Sequence, residues 1–211
     1  MKDLYIDKEK HEYYFKGDKK DCVSDVLKMI DVIAMNGIPQ RNIEIASERG
    51  TKVHELTEDF DYGQIDILDD EFVGENQDVY NYVLAYADWA NKNPSLPIAS
   101  EESLYSEKLD LAGTIDLVKE IDGKLTIIDK KSSKTISELR SKLQLNFYRL
   151  MWNEIFERKV ENLLILQLCD DATHRPIPIP VDEQLALEWK QKYDEIKGDK
   201  KLWVMETKLW L

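Results

Sequence analysis

Two aspartates and a lysine are the residues of this chain whose types and spacing can do chemistry together. They lie in residues 113–133, GTIDLVKEIDGKLTIIDKKSS. Asp122-Gly123 stands between two alternating apolar runs, which is the pattern of a tight β-hairpin. A two-residue loop at 122–123 pairs Ile121 with Lys124. Stepping back along both strands sets Val118 opposite Ile127, Asp116 opposite Asp129 and Thr114 opposite Lys131. Directly opposed residues share a sheet face, with Cβ atoms about 4.5–5.5 Å apart. One face is expected to read apolar pair, acid pair, then Thr114 with Lys131.

Two carboxylates that close repel each other, by about 3 kcal/mol at ~5 Å and an effective dielectric of about 20. A divalent cation turns that repulsion into attraction, and aspartate oxygens suit Mg²⁺ or Mn²⁺. A proton shared between the acids is the other relief. Lys131 leaves the same face as Asp129, where its ammonium can meet a phosphate or orient a water. A lone Asp-x-Lys is most often a surface ion pair. The register against Asp116 and the basic segment that follows argue for a site.

The elements that must position these residues are readable from periodicity. The opening, with Tyr5, Tyr13, Tyr14 and Phe15 broken by Gly17-Asp18, reads as short strands or an extended arm. A helix over about 25–35, capped by Ser24, ends at Asn36-Gly37 and Pro39. Further helices are expected over about 43–60 and 76–92, then strands from about 99 to 131. An amphipathic helix over about 136–158 follows, then a buried strand at 163–168. Pro176, Pro178 and Pro180 confine their segment to an edge. A last helix spans about 182–197, and the apolar tail Leu202-Trp203 to Trp210-Leu211 is expected to dock on the core or a second subunit. The order predicts an α+β fold, an α/β sandwich with a mixed central sheet flanked by helices. One domain over 1–211 is expected, with its core at about 43–170 and the C-terminal helix and tail at 182–211. The aromatic residues of 76–92 are expected in the core.

Composition narrows the function. The chain has 211 residues and a net charge of −13, with 43% hydrophobic and 34% charged residues, so a packed domain is expected. No apolar run is long enough to span a membrane, and MKDLYIDKEK is no signal peptide. Cys22 and Cys169 cannot build a four-cysteine zinc or iron–sulfur site, and a reducing cytoplasm is the expected compartment. The acidity argues against a protein that coats nucleic acid. The charge is uneven, however. Residues 130–149 hold Lys130, Lys131, Lys134, Arg140, Lys142 and Arg149 against Glu138 alone, a local +5. On charge alone this stretch reads equally well as a solvated helix face that carries lysines.

The sequence resembles the PD-(D/E)XK nuclease superfamily, and within it the RecB-type and phage exonuclease branch. The resemblance is carried by Gly113-Thr114-Ile115-Asp116 and by Ile127-Ile128-Asp129-Lys130-Lys131-Ser132-Ser133. Gly50-Thr51-Lys52-Val53-His54 is similar to a helical G-x-x-x-H element, and Gln144-Leu145-Asn146-Phe147-Tyr148 to a Q-x-x-x-Y element. The four pieces keep the family's order over residues 50–148. The resemblance implies a restriction-endonuclease-like core with N-terminal helical elements. It implies that Asp116 and Asp129 are carboxylate ligands of one or two Mg²⁺ or Mn²⁺ ions and that Lys131 is the catalytic lysine. It also implies metal contacts from His54 and the Lys130 carbonyl, DNA contacts from Gln144 and Tyr148, and, through the basic stretch, DNA-backbone contacts from Lys134, Arg140 and Arg149. Glu102 resembles a further acidic position of the branch.

There are departures. Ile115 stands where the superfamily's name has proline, and Ser132 where threonine is frequent. With two cysteines, the subgroup carrying an iron–sulfur cluster is not expected. The activity implied is metal-dependent DNA exonuclease cleavage in phage or mobile-element recombination or repair. The rival reading is a catalytically silent nuclease-fold subunit that binds DNA. Implied partners are DNA and a recombination (annealing) protein, with no membrane; a homo-oligomer is left open. Independently of the resemblance, His54 and Glu58 are four apart and so share a helix face, as are Gln144 and Tyr148. Gly50 is expected to permit close approach of the sheet.

Overall fold

The computed structural model of the chain describes residues 3–7, 10–34, 39–199 and 202–203. The opening forms a three-stranded antiparallel meander: β1 (Leu4–Asp7), β2 (Glu12–Phe15) and β3 (Asp18–Lys20). Helix α1 (Val23–Ala34) follows directly. Ser24 falls inside its first turn, and the Asp25 carboxylate instead accepts from the Cys22 N–H at 3.0 Å. The expected stop at Asn36-Gly37 lies outside the described residues.

Helix α2 (Gln40–Asp61) is longer than its apolar pattern suggested. The helix expected over 76–92 forms, from Tyr80 onward, and a short helix precedes it. Asp69 caps a short α3 (Asp70–Glu75), its carboxylate accepting from Glu71 and Phe72 N–H, and α4 (Tyr80–Lys92) starts afresh after Val79. Tyr82, Tyr86 and Trp89 of α4 are buried, as expected.

The main sheet has order β4-β5-β6-β7-β8, built from β4 (Pro97–Ser106), β5 (Leu111–Ile121), β6 (Lys124–Lys131), β7 (Asn162–Leu168) and β8 (His174–Ile179). All neighbours are antiparallel except β6 and β7, which are parallel. The parallel step needs a crossover, and α5 (Glu138–Ile155) supplies it. The proline-bearing β8 takes the edge, where missing N–H groups break no ladder on its outer side. Helix α6 (Glu183–Ile196) closes the described fold apart from Trp203, which is buried in the core. Leu202 beside it is exposed, and the tail beyond Trp203, Trp210 included, lies outside the described residues.

Helices cover both faces of this mixed sheet. On one face α1, α5 and α6 bury Leu27, Ile30, Phe147, Met151 and Trp189 against Val118 and Ile127. On the other α2 and α4 bury Val53, Tyr86 and Trp89 against Leu117 and Ile128. Among the described residues, no helix is long and apolar enough to cross a membrane.

Candidate metal centre between the hairpin and two helices

The Asp122-Gly123 turn folds as its residues require. Both take positive φ, +51° and +77°, the left-handed conformation of a two-residue hairpin loop. The ladder then runs in the expected register, from Ile121↔Lys124 through Val118↔Ile127 to Leu117↔Ile128. There it stops. The paired residues do not extend to Asp116 with Asp129 or to Thr114 with Lys131.

The reason lies in β5 and its other neighbour. Ile115 and Val118 both pack on the α1–α5 face, while Leu117 packs on the α2–α4 face. Strict alternation cannot give that pattern, so the strand reorients between Ile115 and Val118, at Asp116. Across from it in β4, Glu101 has φ +47°, an uncommon conformation for a side chain of this kind. Gly113 is where backbone and helix approach most closely: a Cβ there would sit 2.9 Å from the Tyr148 ring and 3.1 Å from Val23. Gly50 has open space around it and serves no such approach.

The stopped ladder leaves backbone groups of β6 facing the gap. Within a strand, one residue's N–H and C=O point to the same side. The Lys130 N–H donates to Asp116 Oδ2 at 2.8 Å, and the Lys130 carbonyl meets His54 Nε2 at 3.0 Å. His54, reaching in from α2, also places Nε2 3.6 Å from Asp116 Oδ2 and Nδ1 3.3 Å from Glu101 Oε1. Burial opposes the imidazolium, but Asp116 and Glu101 outweigh it and raise the ring's pKa above its ordinary value.

Asp129 stands beside this group. It is 1% exposed; Gln144 Nε2 donates to its Oδ1 at 2.8 Å and Lys131 Nζ at 2.9 Å. Its Oδ2 is buried with no aligned hydrogen-bond donor among the described residues, although Lys131 Nζ lies 2.7 Å away as an ion pair. Burial pushes the Asp129 carboxyl up; Lys131 opposes that, and Asp116 adds to it. Tyr148, one helical turn beyond Gln144, is raised well above the ordinary phenol value by burial and by the two aspartates. It therefore faces the acids as a neutral hydroxyl.

These residues fit a divalent ion. His54, Glu101 and Asp116 offer ligand atoms that all lie within 4.8 Å of one another. The Lys130 carbonyl adds an oxygen, and Asp129 Oδ2 is a buried carboxylate oxygen held by the Lys131 ammonium as an ion pair, without an aligned hydrogen bond. Carboxylate, carbonyl and imidazole donors together suit a hard or borderline cation. The cavity above them is about 480 Å³ and is lined by Lys131, Arg140, Gln144 and Tyr148 as well as by His54 and Asp116.

Residues 40–200, about three quarters of the chain, match the profile of the PD-(D/E)XK nuclease superfamily. The chain belongs to the PD-(D/E)XK nuclease superfamily. No curated protein matches it. Membership places the protein among metal-dependent nucleases with DNA as substrate, and its five-stranded mixed sheet between helices agrees with the restriction-endonuclease-like fold. The matched span runs from α2 through α6 and includes every side chain of the metal group.

Three expectations need correction for this PD-(D/E)XK chain. The acid that β4 contributes to the donor group is Glu101, not Glu102. Glu102 pairs with Ile115 in the ladder and does not line the cavity. Choosing between adjacent glutamates needed the kink at Glu101, which nothing in the sequence announces. Arg149 is the second: its guanidinium holds Glu183 of α6 and the Val160 carbonyl, away from the cleft. At about 100° per residue, it sits half a turn round α5 from Arg140. Lys134 is the third. It is exposed, pairs with Asp170 at 3.0 Å and lines a different, smaller cavity.

The basic segment as a whole is less free than its sequence implies. Each of its six cations has an acid partner: Lys130 with Glu101, Lys131 with Asp129, Lys134 with Asp170, Arg140 with Asp31, Lys142 with Asp182 and Arg149 with Glu183. Apart from Asp129, which shares β6 with Lys131, the partners lie far off in the sequence, so a window along the chain cannot see them. Strand alternation turns the Lys130 side chain away from Lys131, but the groups that receive it are distant in sequence. Its ammonium is fully buried, bonded to Thr57 Oγ1 at 2.9 Å and 5.6 Å from the centre of the Tyr86 ring.

Proposed function

We propose that this protein is a Mg²⁺- or Mn²⁺-dependent deoxyribonuclease of the RecB-type and phage branch, working as an exonuclease in phage or mobile-element recombination or repair. The single observation that carries the reading is the gathering of His54, Glu101, Asp116 and the Lys130 carbonyl beside a buried Asp129 that is paired with Lys131. A divalent ion bound there supplies Lewis-acid chemistry, polarising the phosphate and lowering the pKa of a water.

The chain's own residues do the rest. The Lys130 N–H fixes the rotamer of Asp116. Gln144 holds Asp129 Oδ1, and Arg140 holds Gln144 Oε1 at 3.0 Å, so the amide cannot flip without losing a bond. Lys131, on the cavity side of Asp129, would be placed to steady charge growing on the phosphate. Tyr148 stays protonated and can donate. Arg140 is the basic side chain that lines the cleft with Lys131. A phosphate displacing an acid from such a partly exposed pair gives up little. Contacts of this kind position a backbone without reading sequence.

The test is incubation of purified protein with linear DNA in Mg²⁺ and in Mn²⁺. Wild type is expected to shorten the DNA from its ends and to spare covalently closed circles. Asp129→Ala is expected to lose about 10²–10³-fold or more of the rate. Intact linear DNA in both metals, with Asp129→Ala indistinguishable from wild type, would remove the reading. Absence of Mn²⁺ binding by calorimetry would then favour the catalytically silent subunit.

A further inference from the structure

The family match begins at residue 40, so the β1–β3 meander is an element that this chain sets beside the shared core. It is firmly seated there. The Ala112 N–H donates to the Asp21 carbonyl at 2.9 Å, Phe15 stacks on Tyr105 with ring centres 4.2 Å apart, and Lys20 pairs with Asp110 at 2.9 Å. At its inner end the Tyr13 hydroxyl lies 2.8 Å from Thr114 Oγ1, which is itself 2.8 Å from Ser103 Oγ. Thr114 is two residues from Asp116. The meander thereby becomes a wall of the metal cavity, to which it contributes Ile6, His11 and Tyr13.

The cavity's three walls differ in chemistry. The side formed by α2 carries Glu55 and Glu58. The side formed by β6 and α5 carries Lys131, Arg140 and Gln144. The meander closes a third side with Ile6, the exposed His11 ring and the edge of Tyr13, which is 9% exposed and seated against Cys22 and Tyr105. A duplex brings two phosphate backbones. Here only one wall is basic, a second is acidic, and the acids at the floor are nearly buried, with Asp116 7% exposed. One strand can run along Lys131 and Arg140 with its sugars and bases toward the ring-bearing wall. A second strand would meet glutamates and the meander.

We propose that the β1–β3 wall makes this cleft selective for single-stranded DNA, a free strand or a frayed end, with Tyr13 and His11 as the specificity-determining residues. This rests on the nuclease reading above and names the substrate class for it. Single strands pair a basic groove with ring faces that accept any base.

The experiment compares one end-labelled oligonucleotide alone and as a blunt duplex, with Mn²⁺ for cleavage and with Ca²⁺ for binding by fluorescence anisotropy. The wild type is expected to cut and to bind the single strand at least tenfold better. Tyr13→Ala and, separately, the exposed His11→Ala are expected to bring that ratio down at least threefold. Tyr13→Phe, which loses only the Thr114 bond, is expected to keep it. Circular dichroism identifies a Tyr13→Ala that fails to fold, in which case His11→Ala carries the test. Equal cleavage of both substrates, or a ratio unmoved by the folded variants, overturns the wall while leaving the nuclease standing. If no DNA is cut and Mn²⁺ does not bind, the nuclease reading falls, and the binding ratio alone decides. A single-strand preference upholds the wall, and equal affinity overturns it.

Discussion

The β5–β6 hairpin is regular near its turn and open at its far end. From Ile121↔Lys124 to Leu117↔Ile128 each residue has its partner, and the side chains alternate into two apolar cores. Beyond that point the ladder is gone, the alternation breaks and polar groups accumulate: Asp116, Asp129, both faces of the Lys130-Lys131 pair, and the Lys130 peptide itself. A paired strand spends its N–H and C=O groups on its neighbour. Here β6 stays paired with β7 but not with β5, and the Lys130 groups on the β5 side go to Asp116 and His54. The ordered half anchors the open half, and the open half has the donor atoms.

Substitutions can break this comparison at either end. The largest effect is expected at the open end, where Asp116→Ala, like Asp129→Ala, should abolish cleavage with little change in circular dichroism. At the ladder end, Ile127→Ala removes a fully buried side chain. It should cost about 2–5 kcal/mol in urea unfolding while leaving the activity of the remaining folded protein close to wild type. Gly113→Ala probes the border between the halves. With Tyr148 and Val23 so close, it should cost about 1–3 kcal/mol by the same measurement, and it should also lower activity because Tyr148 moves.

Titration sharpens the comparison. Asp129 has its pKa raised in the metal-free fold, so the folded state holds a proton that the unfolded chain gives up at about 3.9. Stability falls as pH rises from there through the higher folded value. His54 is also raised, so its contribution is complete below about 6.5 and is lost as pH passes its folded value. Both make the metal-free protein less stable toward neutral and basic pH. Metal binding displaces the same protons and so tightens as pH rises. The difference in melting temperature between Mn²⁺-loaded and metal-free protein should therefore be larger at pH 8 than at pH 6. Asp129→Asn should flatten the metal-free slope at its acidic end. The smallest effect is expected at the turn. Asp122→Asn keeps a residue that tolerates positive φ, so stability should stay within about 0.5 kcal/mol.

How much was legible follows the same divide. The turn, the register up to Leu117, the two apolar faces and the edge position of the proline strand all come from local chemistry: φ preferences, side-chain alternation and missing N–H groups. His54, Gln144 and Tyr148 came from spacing along single helices together with a family resemblance. What stayed hidden depends on contacts distant in sequence. Glu101 enters the site through a backbone kink, and Arg149 is turned away by the helical phase of α5. Alternation sends Lys130 to the back of the sheet, but Thr57 and Tyr86, which receive it there, are far off in sequence. The meander's role needed Tyr13 and Thr114, 101 residues apart, to meet.

The central claim is that the open end of the hairpin holds a divalent cation. Anomalous diffraction from a crystal soaked in Mn²⁺ tests it most directly. The account predicts a peak within ligand distance of Asp116, Asp129 and the Lys130 carbonyl, with His54 or Glu101 completing the shell. No peak at that position in a crystal whose Asp116 and Asp129 are well ordered, or a peak bound only elsewhere on the molecule, would contradict it.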